Sequence, residues 1–388
     1  MNNNDHRRKE GLDSNALHIC FVCNELPPAP SGGIGPTVLT TARALSEAGH
    51  RITVVGFYRR PYDWNGLGIQ VLPILEGNGL SVLANLGFSR AVLARAIKGI
   101  HQGCAIDLIE WPDFEGLFLR NLPGTVDVVR NHGPAMSHRL LGLTKRRPLL
   151  EYFELRTLRL IPNWIGVSQW FMNEWIRISC ARPIRTVVVY NPVDCDLFTP
   201  GDLSRGSNLV LYAGNLIERK GVFALARASG TFLRCLPDAN LLFVGREGTP
   251  GARRTILELA GTSAAKQIRF MDAVPQKELA QIMRRAAVFA MPSILESFGN
   301  VWAEAMASGI PVVASKSSVG PEIVPHGEAG FTVDPESPAQ IADAVITLMT
   351  NTDLRARFAE VGRRVALERY SLQTSLSRTL GFYRQCLS

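Results

Sequence analysis

Short apolar runs alternate with stretches of helical period along almost the whole chain. Leu17–Cys23, Arg51–Phe57, Ile69–Ile74, Ile106–Glu110, Val126–Arg130, Trp164–Val167 and Thr186–Val189 have the length and apolar content of strands buried on both faces. Between the first two, a helix beginning near Thr37 puts Val38, Leu39, Ala42, Leu45 and Ala48 on one stripe, and Gly49 ends it. Leu149–Leu160 and Gln169–Ile178 have the same period. A Pro-rich connector, Asn191–Gly201, interrupts the series. The alternation then restarts with strands Leu209–Tyr212, Ala239–Val244, Ile268–Phe270, Val288–Met291 and Pro311–Ala314. Helices are predicted over Val222–Cys235, Gln276–Arg285 and from Phe298-Gly299-Asn300 to Gly309. Beyond the last strand come a turn at His326–Gly330 and helices near Pro338–Met349, Asp353–Arg369 and Leu372–Cys386. Two successive runs of this kind predict an α/β protein of two doubly wound, Rossmann-like domains with a cleft between them. The expected division is a disordered lead-in at 1–15, domains at 16–190 and 191–370, and a C-terminal helix at 371–388 returning to the first domain.

The 388 residues, 46% hydrophobic and 20% charged, are ample for two cores. The net charge of +8 is uneven: residues 1–190 carry 21 Lys and Arg against 15 Asp and Glu, and residues 191–388 carry 21 against 19. A basic first half suits an anionic surface or substrate. No aromatic and basic interleaving supports nucleic acid as that partner. Gly77–Ala105 contains no acidic residue and sets Leu80, Val82, Leu83, Leu86, Phe88, Val92, Leu93 and Ile97 against Arg90, Arg95 and Lys98. It reads either as a basic amphipathic seat on an anionic membrane or as a helix packed on the sheet. Lys145-Arg146-Arg147 is a second basic spot. No apolar h-region begins the chain and no run approaches the length of a membrane span, so the expected location is cytoplasmic, with a peripheral seat on the membrane's inner face as the variant. Cys20 and Cys23 form a C-x-x-C inside a strand, where residues three apart point to opposite faces, a poor fit to one metal ion.

Candidate chemistry gathers at strand ends. After Val288–Met291, a loop carrying Glu296 leads into a helix whose unpaired first-turn N–H groups suit a phosphate. Glu304, about one turn inside, could accept hydrogen bonds from two sugar hydroxyls, and Glu296 could do so for a second polyol. Glu304 is equally explained as an acidic residue near a helix start. The loop Gly214–Gly221 follows the first strand of the second series, and Arg219 and Lys220 supply charge for a diphosphate. Gly32-Gly33-Ile34-Gly35 closes a Pro- and Gly-rich loop, Asn24–Pro36, that allows close backbone approach but lacks the G-x-G-x-x-G of a dinucleotide site. His132-Gly133-Pro134 ends another strand, and Glu110, Trp111 and Asp113 stand at a polar, aromatic strand end on the expected acceptor side.

Together these motifs resemble the retaining glycosyltransferases of family 4, with the GT-B architecture of two facing Rossmann-like domains. The resemblance runs from about Leu17 to the C-terminal helix. It rests on Glu296 and Glu304 as an E-x7-E pair, Asn191-Pro192-Val193-Asp194, Gly32–Gly35, His132-Gly133 and Lys220-Gly221. It implies that Glu304 binds ribose hydroxyls, Glu296 the donor sugar, and Lys220 with backbone N–H groups from Phe298, Gly299, Asn300 and Val301 the diphosphate. It further implies that Gly33 lets the first loop close on the donor and that His132 touches the transferred sugar, so that His132, Glu296 and Lys220 are the expected catalytic residues. No bound metal and no cofactor are implied beyond a UDP- or GDP-sugar cosubstrate, and the acceptor would be a saccharide or lipid-linked saccharide. Asn215 departs from the family, which usually has Arg there; either Arg219 substitutes for it or the charge stabilisation is weaker. The function expected is metal-independent, retaining transfer of a hexose-type sugar in glycan biosynthesis. The alternatives are a sugar-nucleotide-binding protein that has lost catalysis and a sugar-nucleotide epimerase of the same architecture.

Overall fold

The computed structural model describes residues 16–29, 32–75, 86–118, 122–133, 148–201 and 207–388. The lead-in at 1–15, Leu80, Val82 and Leu83 of the basic segment, Pro134, and Lys145–Arg147 lie outside the described residues. The chain divides into two compact units, one of residues Met1–Pro192 with Ser375–Ser388 and one of Val193–Thr374.

The first unit is built on seven strands: β1 (His18–Val22), β2 (Arg51–Tyr58), β3 (Gln70–Leu75), β4 (Leu108–Pro112), β5 (Val126–Asn131), β6 (Asn163–Gly166) and β7 (Arg185–Val188). All pair in parallel in the order β3-β2-β1-β4-β5-β6-β7. Strands of such a sheet are covered on both faces, which is why they read as near-continuous apolar runs. Alternation along β1 sends Ile19, Phe21 and Cys23 into one core and Cys20 and Val22 into the other. The two cysteines of the C-x-x-C therefore sit on opposite faces, and burial pushes each thiol up to about 12.

Helix α1 (Ile34–Glu47) starts three residues earlier than the pattern suggests, so Gly35 and Pro36 belong to its first turn and not to the preceding loop. A first-turn proline sacrifices no intrahelical bond. The orphan N–H of Gly35 is taken by the Glu25 carboxylate at 2.9 Å, which also accepts from Gly32 at 3.1 Å. Helix α2 (Leu86–Gly103) buries Leu93 and Ile97 against the sheet, each such side chain stabilising by about 1.5–3 kcal/mol. Arg90 turns inward: it donates to the Phe118 carbonyl at 2.6 Å and its guanidinium lies 4.3 Å from the Phe153 ring centre. Arg95, Lys98 and Phe88 are exposed. No described helix is long and apolar enough to cross a membrane.

The second unit holds six parallel strands: β8 (Leu209–Ala213), β9 (Asn240–Val244), β10 (Ile268–Met271), β11 (Val288–Ala290), β12 (Val312–Ser315) and β13 (Gly330–Val333), ordered β10-β9-β8-β11-β12-β13. The turn expected at His326–Gly330 is present and leads into β13, a strand absent from the sequence pattern because four residues are too few to show a period. Helices α3 (Val222–Cys235) and α4 (Asn300–Ala307) follow β8 and β11. The last helix, α5 (Leu372–Leu387), puts Phe382, Tyr383 and Cys386 into the core of the first unit.

Candidate active site

In each sheet the strand order reverses once, between β1 and β4 and between β8 and β11. Such a switch point opens a crevice at the carboxyl ends of the strands, where open α/β sheets bind ligands. In the second unit the two loops at that point are those that carry Lys220 and Glu296.

The β8 loop ends in a single 3-10 turn, Glu218–Lys220, closed by Gly221 in the left-handed conformation (φ 71°). A Cβ at Gly221 would lie 2.0 Å from the Pro292 carbonyl oxygen, so the turn rests directly on the loop after β11. The Ile294 N–H donates to the Arg219 carbonyl at 2.9 Å, and the Arg219 guanidinium donates to the Leu295 carbonyl, also at 2.9 Å. The Lys220 ammonium reaches a Glu296 carboxylate oxygen at 2.6 Å, with 20% and 8% of the two side chains exposed. On the other side, the Glu296 N–H donates to Ser318 Oγ at 3.2 Å. Asn215 is exposed, and its carbonyl accepts the buried Tyr212 hydroxyl at 2.9 Å.

Gly299 caps α4 in the left-handed conformation (φ 83°), and a Cβ there would stand 2.3 Å from the Trp302 ring. Trp302 is fully buried and donates from Nε1 to the Met291 carbonyl at 3.1 Å, fastening the helix to the end of β11. Phe298 is buried edge-on to Tyr370, so its ring is not presented to a ligand, whereas Asn300 and Val301 are half-buried. Glu304 lies inside α4, buried, with one oxygen 3.5 Å from the Gln276 amide nitrogen. Burial pushes its carboxyl up to about 7, and the contact with Gln276 pulls the other way.

That shift has a sign that can be tested. The folded protein holds the Glu304 proton more tightly than the unfolded chain, whose carboxyl titrates near 4.5. The resulting stabilisation is fully present below about pH 4.5 and is lost as pH rises through about 7. Glu304→Gln, uncharged throughout, is therefore expected to match the wild type near pH 4.5 and exceed it by up to about 3 kcal/mol at pH 8. Melting temperatures of both proteins across this range check it; a difference that does not change with pH would contradict a buried, proton-holding carboxyl.

The first unit gathers a different set. Glu110 and Arg130 form a buried, two-point ion pair at 2.8 and 3.0 Å, and the Tyr383 hydroxyl donates to the same carboxylate. Trp111 donates from Nε1 to Asp127 at 2.8 Å. Asp113 has no exposed surface and accepts from the backbone N–H groups of His132 (3.0 Å) and Gly133 (3.1 Å). Burial pushes the Asp113 carboxyl up to about 8, against those hydrogen bonds. Glu110, Trp111 and Asp113, expected on the acceptor side, thus spend their polar atoms on internal partners. His132 is 8% exposed, and burial followed by the nearby Arg130 charge pushes it down to about 3, leaving a neutral imidazole at pH 7. It lines a cavity with Glu110, Trp111, Arg130, Phe21 and Ile34. Gly33 caps α1, and its carbonyl accepts the Thr37 hydroxyl.

Arg130, Tyr383, Gln276 and Ser318 were not singled out from the sequence. A charged residue inside the apolar run Val126–Arg130 was the one available signal; the others show none. Among the described residues no three His, Cys, Asp or Glu side chains converge as a metal-binding group.

Two family models match the chain: Glycosyltransferase Family 4 over residues 31–197 and Glycosyl transferases group 1 over residues 198–365. A phosphatidyl-myo-inositol mannosyltransferase of Mycobacterium leprae (strain TN) is 36% identical over 393 residues, covering 95% of this chain and 96% of that protein. The chain spans about half the length of several other curated relatives it matches. A D-inositol 3-phosphate glycosyltransferase of Corynebacterium glutamicum (strain R) is 35% identical over 198 residues, 46% of this chain and 47% of that protein. Among solved structures, a sucrose-phosphate synthase from Thermosynechococcus elongatus has the same fold, with a TM-score of 0.82 at 21% identity over 95% of this chain and 98% of that one.

Proposed function

We propose, for a chain that belongs to the family 4 glycosyltransferases, that the second unit binds a nucleoside-diphosphate sugar and that a hexose-type sugar passes with retention to a saccharide or lipid-linked acceptor. The contact between Lys220 and Glu296 at the β8–β11 switch point supports this most directly. A diphosphate and the sugar attached to it are neighbours, so their readers must be neighbours too. Lys220 and the N–H groups opening α4 take the diphosphate, Glu304 the ribose hydroxyls and Glu296 the sugar hydroxyls. As the glycosidic bond lengthens, negative charge grows on the leaving diphosphate and Lys220 stabilises it in place. His132 is held neutral within the first unit, where it lines a cavity with Glu110, Trp111 and Arg130.

A melting-temperature panel of UDP-, GDP- and ADP-sugars, followed by product analysis with inositol phosphate and phosphatidylinositol as acceptors, tests the reading. One nucleotide class is expected to stabilise the fold by about 2.7 kcal/mol at a hundredfold excess over its Kd. A retained anomeric configuration is expected in the product. Binding without transfer to any acceptor would favour a sugar-nucleotide-binding protein, conversion of the donor without acceptor an epimerase, and binding of none would overturn the assignment.

A further inference from the structure

Three loops from three strands converge on Glu296. The turn after β8 supplies Lys220 to its carboxylate and Arg219 to the carbonyl just before it. The loop after β11 carries Glu296 itself, and its Ile294 N–H closes back on the Arg219 carbonyl. The loop after β12 brings the Ser318 hydroxyl to the Glu296 N–H. Ser318 holds a φ of 52°, a left-handed conformation that costs a non-glycine residue about 1–3 kcal/mol. The hydroxyl it delivers to the Glu296 backbone gives that cost an evident return.

Arg219 has two conceivable uses. It could stand in for Asn215 as a second cation on the diphosphate, or it could belong to the scaffold. Its two hydrogen bonds at 2.9 Å, one through the backbone and one through the guanidinium, both run to the segment Ile294–Leu295. We infer that Arg219 and Ser318 are positioning residues: they clamp the loop from both sides and hold the Glu296 carboxylate beside Lys220. This deepens the proposed function and rests on its reading of Glu296 as the sugar contact. A clamp of this kind acts on catalysis through geometry, where a displacement of about 1 Å can cost about 10²-fold. It leaves the affinity for the nucleoside diphosphate nearly unchanged, because Lys220 and the start of α4 keep anchors of their own, Gly221 against the Pro292 carbonyl and Trp302 on the Met291 carbonyl.

The test uses the full chain and the nucleoside diphosphate that the wild type binds. Titration calorimetry measures its affinity, and steady-state transfer from the matching sugar nucleotide gives kcat and KM. For Arg219→Ala and for Ser318→Ala, diphosphate affinity is expected to stay within about threefold of wild type while kcat falls by about 10–100-fold. In a Glu296→Gln background the Arg219 substitution is expected to add little, because the group it positions is gone. Should Arg219→Ala unfold the protein, as its melting curve would show, Ser318→Ala carries the same test. A tenfold or greater loss of diphosphate affinity in Arg219→Ala would make Arg219 a diphosphate ligand and overturn the inference. Wild-type kcat in both variants, or a full additive loss in the Glu296→Gln background, would also overturn it. A wild type that binds no nucleoside diphosphate would overturn the functional reading itself, and the clamp with it.

Discussion

Replacing Arg130 with methionine is expected to remove about 3–5 kcal/mol of stability, because it leaves a buried carboxylate without its cation. Glu110 and Arg130 are 4% and 3% exposed, and both guanidinium contacts fall on the one carboxylate. Burial alone would lower the Arg130 pKa, yet the Glu110 charge and the Tyr383 hydroxyl outweigh it and leave the pKa raised. The arrangement therefore stands only while all of its members are present. Tyr383→Phe removes one hydrogen bond to a charged group and is expected to cost about 1.5–3 kcal/mol. The double change Arg130→Met with Glu110→Leu takes away both charges and is expected to recover most of the loss, since apolar replacements of buried ion pairs are often neutral. Urea unfolding of the single and double variants measures the coupling directly. A cost below about 1 kcal/mol for Arg130→Met, with no coupling to Glu110, would show that the pair is not held in a dry interior.

The triad also illustrates what a sequence can and cannot disclose. Parallel strands buried on both faces leave an apolar run of four to six residues, so β1, β4, β5, β8, β11 and β12 were legible one by one. Their series implied two wound sheets before any pairing was known. β13 left no such trace, and α1 began early because the Glu25 carboxylate, from the preceding loop, caps it in place of a local side chain. The candidate site divides in the same way. Glu296, Glu304 and Lys220 were readable because each sits at a fixed distance from a strand end within one local stretch. Their supports were not: Tyr383 reaches Glu110 across 273 positions and Ser318 meets Glu296 across 22, and no local pattern encodes either. Polar residues at a strand end are ambiguous for the same reason. Glu110 and Asp113 have the composition of ligand contacts, and only the fold shows that their oxygens are already engaged from within.

Lys220→Ala is expected to reduce kcat for transfer by about 10²–10³, the usual consequence of removing one preorganised group that stabilises a developing negative charge. The ammonium is well placed for that work. It stands on a turn locked by Gly221 against the Pro292 carbonyl, and 20% of its side chain is exposed. Its partner Glu296 is fixed through the backbone, so the ammonium has little freedom to wander before a donor arrives. Glu296→Gln removes the negative partner and weakens the contact with sugar hydroxyls, while a nucleoside diphosphate that lacks the sugar should bind about as well as before. Lys220→Ala should weaken both ligands. Because the two residues serve one bond, their effects are not expected to add: the double variant should be little slower than the worse single one. Steady-state transfer and diphosphate titration on the three variants separate these outcomes. Wild-type turnover by Lys220→Ala would remove Lys220 from the reaction, and a strictly multiplicative double variant would mean that Lys220 and Glu296 act on different steps.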